Sequence, residues 1–187
     1  MKRSFVCLFS LFLVFTCALG TGTAAQATEP IKKAEPVKKK KEKLPIAEVG
    51  KPAPEWSLPD VLDGKPLKLS DFAGKVVVLD IWATWCQPCR AEVPRLIELK
   101  KKYKSLGLEI VGISVDDNAA AVKPFLAEFH VNYPVVLSTQ AVFDTYDKTA
   151  GLPRTYIIDR HGIIVKVHSI YNERTISEME KEIKPLL

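Results

Sequence analysis

Cys86, Gln87, Pro88 and Cys89 place two thiols one helical turn apart. A pair at this spacing can form half of a zinc site, attach a haem, or carry a reversible disulfide. Zinc needs two further ligands, and His130, His161 and His168 are scattered without metal-site spacing. Haem attachment needs a histidine directly after the second cysteine, where Arg90 stands. As a structural staple the pair would close almost no loop and restrict the unfolded chain very little. Thiol-disulfide exchange is the chemistry that suits it. The pair itself would hold the electrons, so neither cofactor nor metal is expected.

Two elements must position these thiols. The apolar run 76–82, interrupted by Asp80, reads as a strand buried on both faces. Residues 87–104 show helical periodicity through Val93, Leu96, Ile97 and Leu99, with lysines toward the end where the helix dipole favours them. Cys86 therefore stands at a helix start, facing unpaired N–H groups that lower a thiol's pKa. Cys89, one turn later, is placed to attack a mixed disulfide formed at Cys86. Asp80 is a carboxyl in an apolar strand, costly unless it has a partner or a task. Burial should raise its pKa, and its expected task is to take the proton of Cys89, directly or through water. Glu92, one turn beyond Cys89, is open to two readings: tuning the site, or sitting solvated on the helix.

The remainder of the chain from residue 49 has short apolar segments punctuated by Gly and Pro. Residues 56–61 and 66–69, joined through Asp63 and Gly64, read as a β-hairpin. A second buried strand is expected over 108–115 and a second helix over 119–129. Strand character follows at 133–137 and a short helix near 140–147. A hairpin of 155–158 with 163–168 turns at His161 and Gly162, and a helix over 173–184 closes the chain. This order implies a mixed sheet with helices on both faces. Trp82, Tyr103, Phe125, Phe129 and Phe143 are assigned to the core, and the three histidines to surface or loops.

The first 27 of the 187 residues look like an export signal: Lys2 and Arg3, an apolar stretch 4–19, then Ala25-Gln26-Ala27 as a cleavage site. An uncleaved anchor is the alternative, but the stretch is shorter than the about 20 residues that span a bilayer. Acylation at Cys17 is disfavoured by the bulk of Phe15 and Thr16. Cleavage would also remove Cys7, leaving Cys86 and Cys89 as the mature cysteines. Residues 28–48 form a Lys/Pro-rich linker, solvated or serving as a spacer near a membrane surface, and 49–187 the folded domain. The net charge of +5 resides largely in the leader and linker. The domain is close to neutral and lacks the basic stripe of a nucleic-acid binder.

The segment Asp80-Ile81-Trp82-Ala83-Thr84-Trp85-Cys86-Gln87-Pro88-Cys89-Arg90 resembles the thioredoxin active-site segment. The chain further resembles the TlpA/ResA family of exported, membrane-associated thiol-disulfide oxidoreductases. That likeness rests on Val49-Gly50-Lys51-Pro52-Ala53-Pro54, Leu69-Ser70-Asp71-Phe72, Gly74-Lys75, Ala91-Glu92-Val93-Pro94 and Gly151-Leu152-Pro153-Arg154-Thr155 with Ile158-Asp159. It covers nearly everything from Val49 onward. The resemblance implies an α/β thioredoxin fold with a mixed central sheet flanked by helices and an added N-terminal β-hairpin. It implies that Cys86 attacks and Cys89 resolves, that Pro153 is the cis-proline beside them, and that the Leu152 backbone pairs with an extended substrate segment. Pro94 matches the helix-kinking proline. Asp80 matches the proton-exchanging aspartate of thioredoxin, where ResA-like relatives often carry asparagine. Trp85 is read as shielding the disulfide and offering substrate an apolar contact, with Gln87 and Pro88 beside it at the substrate-facing turn.

The function expected is reduction of disulfides in exported proteins, apocytochromes c among them, by a monomer fed by a membrane thiol donor, in the periplasm or another extracytoplasmic space. A disulfide-forming oxidase is the runner-up, disfavoured because such enzymes commonly place His between the cysteines. A peroxidase would need a Pro-x-x-x-Thr-x-x-Cys loop, although 49–75 also resembles peroxiredoxins. A non-catalytic binding module or redox sensor on this fold would show no turnover with a disulfide.

Overall fold

The computed structural model describes residues 45–146, 151–172 and 174–187. The expected signal, both early cysteines, linker residues 28–44, Asp147 and Glu173 lie outside the described residues. Among the described residues, seven strands and four α-helices run in the order β1 (Ser57–Pro59), β2 (Pro66–Lys68), β3 (Val76–Trp82), α1 (Gln87–Tyr103), β4 (Leu108–Ser114), α2 (Ala119–Glu128), β5 (Val135–Leu137), α3 (Gln140–Tyr146), β6 (Arg154–Ile158), β7 (Ile164–His168) and α4 (Thr175–Ile183). The main sheet has the order β5-β4-β3-β6-β7. β3 pairs in parallel with β4, and β4 with β5, whereas β6 runs antiparallel to β3 and to β7. This is the expected mixed sheet.

β3 lies at the centre, and all seven of its residues are buried. Successive side chains leave opposite faces of a strand, which sorts the core into two layers. Val76, Val78 and Trp82 pack with Val93 and Leu96 of α1, Phe125 of α2 and Met179 of α4. Val77, Leu79 and Ile81 pack with Trp56, Leu58, Phe72 and Tyr146 on the other side. Asp80 belongs by alternation to the layer of α1, the helix that carries the cysteines. Each fully buried aliphatic side chain contributes about 1.5–3 kcal/mol. The six apolar residues of β3 therefore outweigh the few kcal/mol that burying one uncharged carboxyl costs.

Two tight backbone approaches hold β4 in place. Gly107, at φ 95°, adopts the left-handed conformation that ends the helical segment after α1 and lets the chain turn directly into β4. Gly112 lies opposite Asp80 in the β3–β4 register, and a Cβ built there would stand 2.8 Å from Trp82 Nε1 and 3.2 Å from Val135 Cγ2. The missing side chain makes room for the indole.

The N-terminal additions protect both sheet edges, which would otherwise offer free backbone groups to other chains. The β1–β2 hairpin reaches the β5 edge through an Asp60–Val136 bridge and the Val61 N–H on the Val135 carbonyl. The chain before it covers the β7 edge: Gly50 N–H donates to the Ile164 carbonyl and Ile164 N–H to the Lys51 carbonyl. Ala47 is already buried, its N–H on the Thr145 carbonyl.

Three sequence-based placements need correction. His168 is no free surface residue: it sits on β7 with its side chain 11% exposed and Nε2 2.8 Å from Glu182 Oε2 on α4. Phe143 is half-buried rather than core, because α3 turns it toward an open cleft. Trp82, Tyr103 and Phe125 are buried as expected. Phe129 is half-buried and stacks on Phe125 with ring centroids 4.2 Å apart.

Gly112→Ala should lower the unfolding free energy by about 1–3 kcal/mol through overpacking against Trp82. Urea unfolding monitored by far-UV circular dichroism measures this, and an unchanged midpoint would show that the indole can move aside.

Candidate active site

Cys86 is the N-cap of α1, in extended conformation at φ −82° and ψ 106°. Its Sγ accepts the Cys89 N–H at 3.3 Å, occupying one of the donors that a helix leaves unpaired at its positive end. Pro88 stands in the first turn, where a missing N–H costs nothing. A disulfide joins the cysteines across a Cα separation of 5.3 Å. Cys86 is 6% exposed and Cys89 0%, so a partner arriving from solvent meets Cys86 first.

The approach to Cys86 is fixed from two sides. Asp116, just beyond β4, accepts the Thr84 N–H at 3.0 Å, the Thr84 hydroxyl at 2.6 Å and the Ser114 hydroxyl at 2.8 Å. The carboxylate thereby ties the turn before Cys86 to the neighbouring strand. Arg90 lies over the rings of Phe125 and Phe129, at 5.0 and 5.2 Å, tying the first turn of α1 to α2. Its guanidinium also reaches the Thr84 carbonyl at 3.4 Å.

A cleft of about 740 Å³ opens beside Cys86, walled by Trp85, Pro88, Phe143, Leu152 and Asp117. Trp85 is 67% exposed, standing over the cleft rather than in the core. The Leu152-Pro153 peptide is cis, with Leu152 on the cleft wall and Pro153 buried. Gln87 is exposed on the first turn of α1, outside the cleft walls. Of the residues singled out from the sequence, Trp85, Cys86, Pro88 and Leu152 meet in the cleft. Cys89 and Asp80 lie behind it in the core. Among the described residues, no group of three or more His, Cys, Asp or Glu side chains could hold a metal ion.

Behind the disulfide lies a second carboxyl. Asp80 is 0% exposed and Glu92 1%, which settles the two readings of Glu92 in favour of burial. Pro94 stands inside α1, yet the helix continues and keeps Glu92 turned inward with Cys89, three residues before it. The Thr155 hydroxyl lies 3.4 Å from Asp80 Oδ1 and 3.1 Å from Glu92 Oε1. Among the described residues, Asp80 Oδ2 and Glu92 Oε2 have no hydrogen-bond partner. Burial, then the charge of Glu92, hold the Asp80 carboxyl well above the usual range, with Thr155 opposing. Burial pushes Glu92 up to about 7, again opposed by Thr155.

The profile of the Redoxin family matches residues 48–183. The chain belongs to the Redoxin family. This Redoxin-family chain is 41% identical over 138 residues to the thiol-disulfide oxidoreductase ResA of Bacillus subtilis, covering 73% of this chain and 76% of that protein. It is 37% identical over 147 residues to ResA of Bacillus anthracis, 78% of this chain and 81% of that one. A crystal structure of a thioredoxin-family thiol:disulfide interchange protein from Chlorobium tepidum superposes with a TM-score of 0.64 at 30% identity, covering 72% of this chain and 94% of that chain. The Redoxin-family chain is a thiol-disulfide oxidoreductase on the thioredoxin fold, with Cys86–Cys89 as its disulfide.

Sequence reasoning passed over Asp116 and Thr155. Asp116 had a faint signal, a Ser-x-Asp pattern just past an apolar strand. Thr155 had none: a β-branched residue in a strand is ordinary, and its neighbours come from elements 75 and 63 residues away.

The buried Glu92 carries a stability signature. Its ordinary value is 4.5 and its folded value about 7, so the folded state holds this proton more tightly than the unfolded chain. The resulting stabilisation is complete below 4.5 and is lost as pH rises to about 7, on the order of 3 kcal/mol in all. Asp80 adds a fall of the same sign starting from its ordinary 3.8. Urea midpoints of the oxidised protein should therefore decrease across this interval, and those of Glu92→Gln should decrease less. Equal slopes in the two proteins would place the Glu92 carboxyl in water.

Proposed function

We propose that the protein is an exported reductase of protein disulfides. It is a monomer that receives electrons from a membrane thiol donor and passes them to exported proteins, apocytochromes c among them. The observation that carries this reading is the asymmetry of the pair. Cys86 caps a helix at the edge of a substrate-sized cleft, while Cys89 is sealed behind it.

In the reduced protein the helix start stabilises the Cys86 thiolate. The thiolate attacks one sulfur of a substrate disulfide; that S–S bond breaks, and the first substrate thiolate leaves. Cys86 is then joined to the substrate. Cys89 gives its proton to the buried Asp80 and its carboxyl neighbour and attacks Cys86 Sγ. The mixed disulfide breaks, the second substrate thiolate leaves and takes a proton from solvent, and the protein is left in the oxidised form described above. An external dithiol restores it by the same steps in reverse.

An extended substrate segment would pair with the Leu152 backbone beside cis-Pro153. Trp85 and Pro88 would provide apolar contact, and exposed Gln87 would meet the rim of the partner. The ResA likeness supports assigning the protein to the extracytoplasmic side of a membrane, held through its N-terminal region or released by cleavage after Ala27. Among the described residues no helix is long and apolar enough to cross a membrane. No nucleic-acid partner is proposed.

The two cysteines should fail differently. Cys86→Ser should abolish insulin-disulfide reduction, and Cys89→Ser should accumulate mixed disulfides that a non-reducing gel resolves. In the reduced, folded protein iodoacetamide should label Cys86 first; preferential labelling of Cys89 would invert the assignment.

Gln87 and Pro88 offer no cationic group to stabilise the Cys86 thiolate further. A glutathione titration should therefore place the couple clearly below the about −120 mV of the oxidase DsbA. A potential as high as that would make the protein an oxidase.

A further inference from the structure

The carboxyl pair behind the disulfide has a hydrogen-bond count that does not balance if both groups are ionised. Asp80 and Thr155 are register partners on β3 and β6, so their side chains leave the same face of the sheet. Glu92 comes down onto that face from α1. The single Thr155 Oγ1 meets both carboxyl groups, at 3.4 Å and 3.1 Å. A hydroxyl carries one hydrogen and can donate to one of them. The other contact is a hydrogen bond only when that carboxyl is protonated and donates to Thr155. Two buried carboxylates facing one hydroxyl would also repel each other in a medium that screens little. Among the described residues no cation pairs with either.

We infer that Asp80, Thr155 and Glu92 form one proton-holding unit, in which a single proton is shared between two carboxyl groups through the Thr155 hydroxyl. The inference deepens the proposed reductase mechanism and rests on Cys86–Cys89 as its reacting pair. The unit has one occupied and one vacant proton site in the oxidised protein. When Cys89 resolves a mixed disulfide, its proton fills the vacancy and the unit becomes neutral; on deprotonation to solvent it returns to the single-proton state. Thr155 lets the proton rest on either carboxyl, so the group nearer the sulfur can be the empty one. The directions of the shifts agree: burial raises both carboxyls, and the charge of Glu92 raises Asp80 further.

The other titratable groups on elements packed against the unit are Cys89, three residues before Glu92 on α1 and titratable only when reduced, and the Tyr133 hydroxyl from the segment before β5. Tyr133 is buried, lacks a hydrogen-bond partner among the described residues, and is held well above its usual range by burial and then by the charges of Asp80 and Glu92. It stays protonated at any pH of interest. α2 and α4 contribute Phe125 and Met179 to the same layer, neither of which titrates.

The test uses the oxidised full chain. Infrared spectroscopy in heavy water should show the carbonyl stretch of a protonated carboxylic acid persisting at about pH 8, above the ordinary carboxylate range. Asp80→Asn should abolish the band there, and Glu92→Gln should move its loss to lower pH. Thr155→Val should slow release from the Cys86 mixed disulfide about 10-fold, more than it slows the first attack, and Thr155→Ser should restore release. A wild-type spectrum with no such band, a band indifferent to both carboxyl substitutions, or wild-type release in Thr155→Val would overturn the inference. Failure of the underlying mechanism looks different: Cys86 would then form no mixed disulfide at all.

Discussion

The capping of α1 by Cys86 is the interaction on which the site depends. A helix beginning at the end of a buried strand must find acceptors for its first N–H groups in a place with little water. Here the acceptor at the Cys89 N–H is the sulfur itself. One contact therefore starts the helix, fixes the Cys86 sulfur at the positive end of its dipole, and sets the second cysteine one turn behind. The anchors of Thr84 on Asp116 and Arg90 on two phenylalanine rings hold the junction still. A looser turn would let the sulfur leave the Cys89 N–H and the positive end of the helix.

Strand alternation then separates two kinds of work. One face of β3 packs against the hairpin, Phe72 and Tyr146 and is apolar. The other carries Asp80 toward α1 and so into the neighbourhood of Cys89. A one-residue slip in register would exchange the faces, placing the carboxyl among Trp56 and Leu58. The close approach of Gly112 to Trp82, together with the covered sheet edges, stands against such a slip.

Much of this was legible in the residues, for identifiable reasons. The cysteine pair, the apolar run with Asp80 and the heptad-like stripe of α1 are local patterns, and local patterns fix β3, α1 and their junction. The resemblance to TlpA/ResA proteins carried what local reading could not, namely the cis peptide at Leu152-Pro153, formed far downstream of the second cysteine. Glu92 could not be placed, because an acid on an amphipathic helix has the same signature solvated or buried until the opposite face is known. Thr155 and Asp116 act through contacts between distant segments, and nothing in their own neighbourhoods announces it. His168 was misplaced for the same reason, since its partner Glu182 lies across on α4.

The two residues between the cysteines are both exposed, while the Thr84 and Arg90 anchors that hold the junction lie outside them. Their identity is thus mechanically uncoupled from the scaffold. A lineage, or an engineer, can alter the electrochemistry of such a protein by exchanging this dipeptide without reopening the folding problem. One framework can in this way serve both as a donor and as an acceptor of electrons in compartments of different poise.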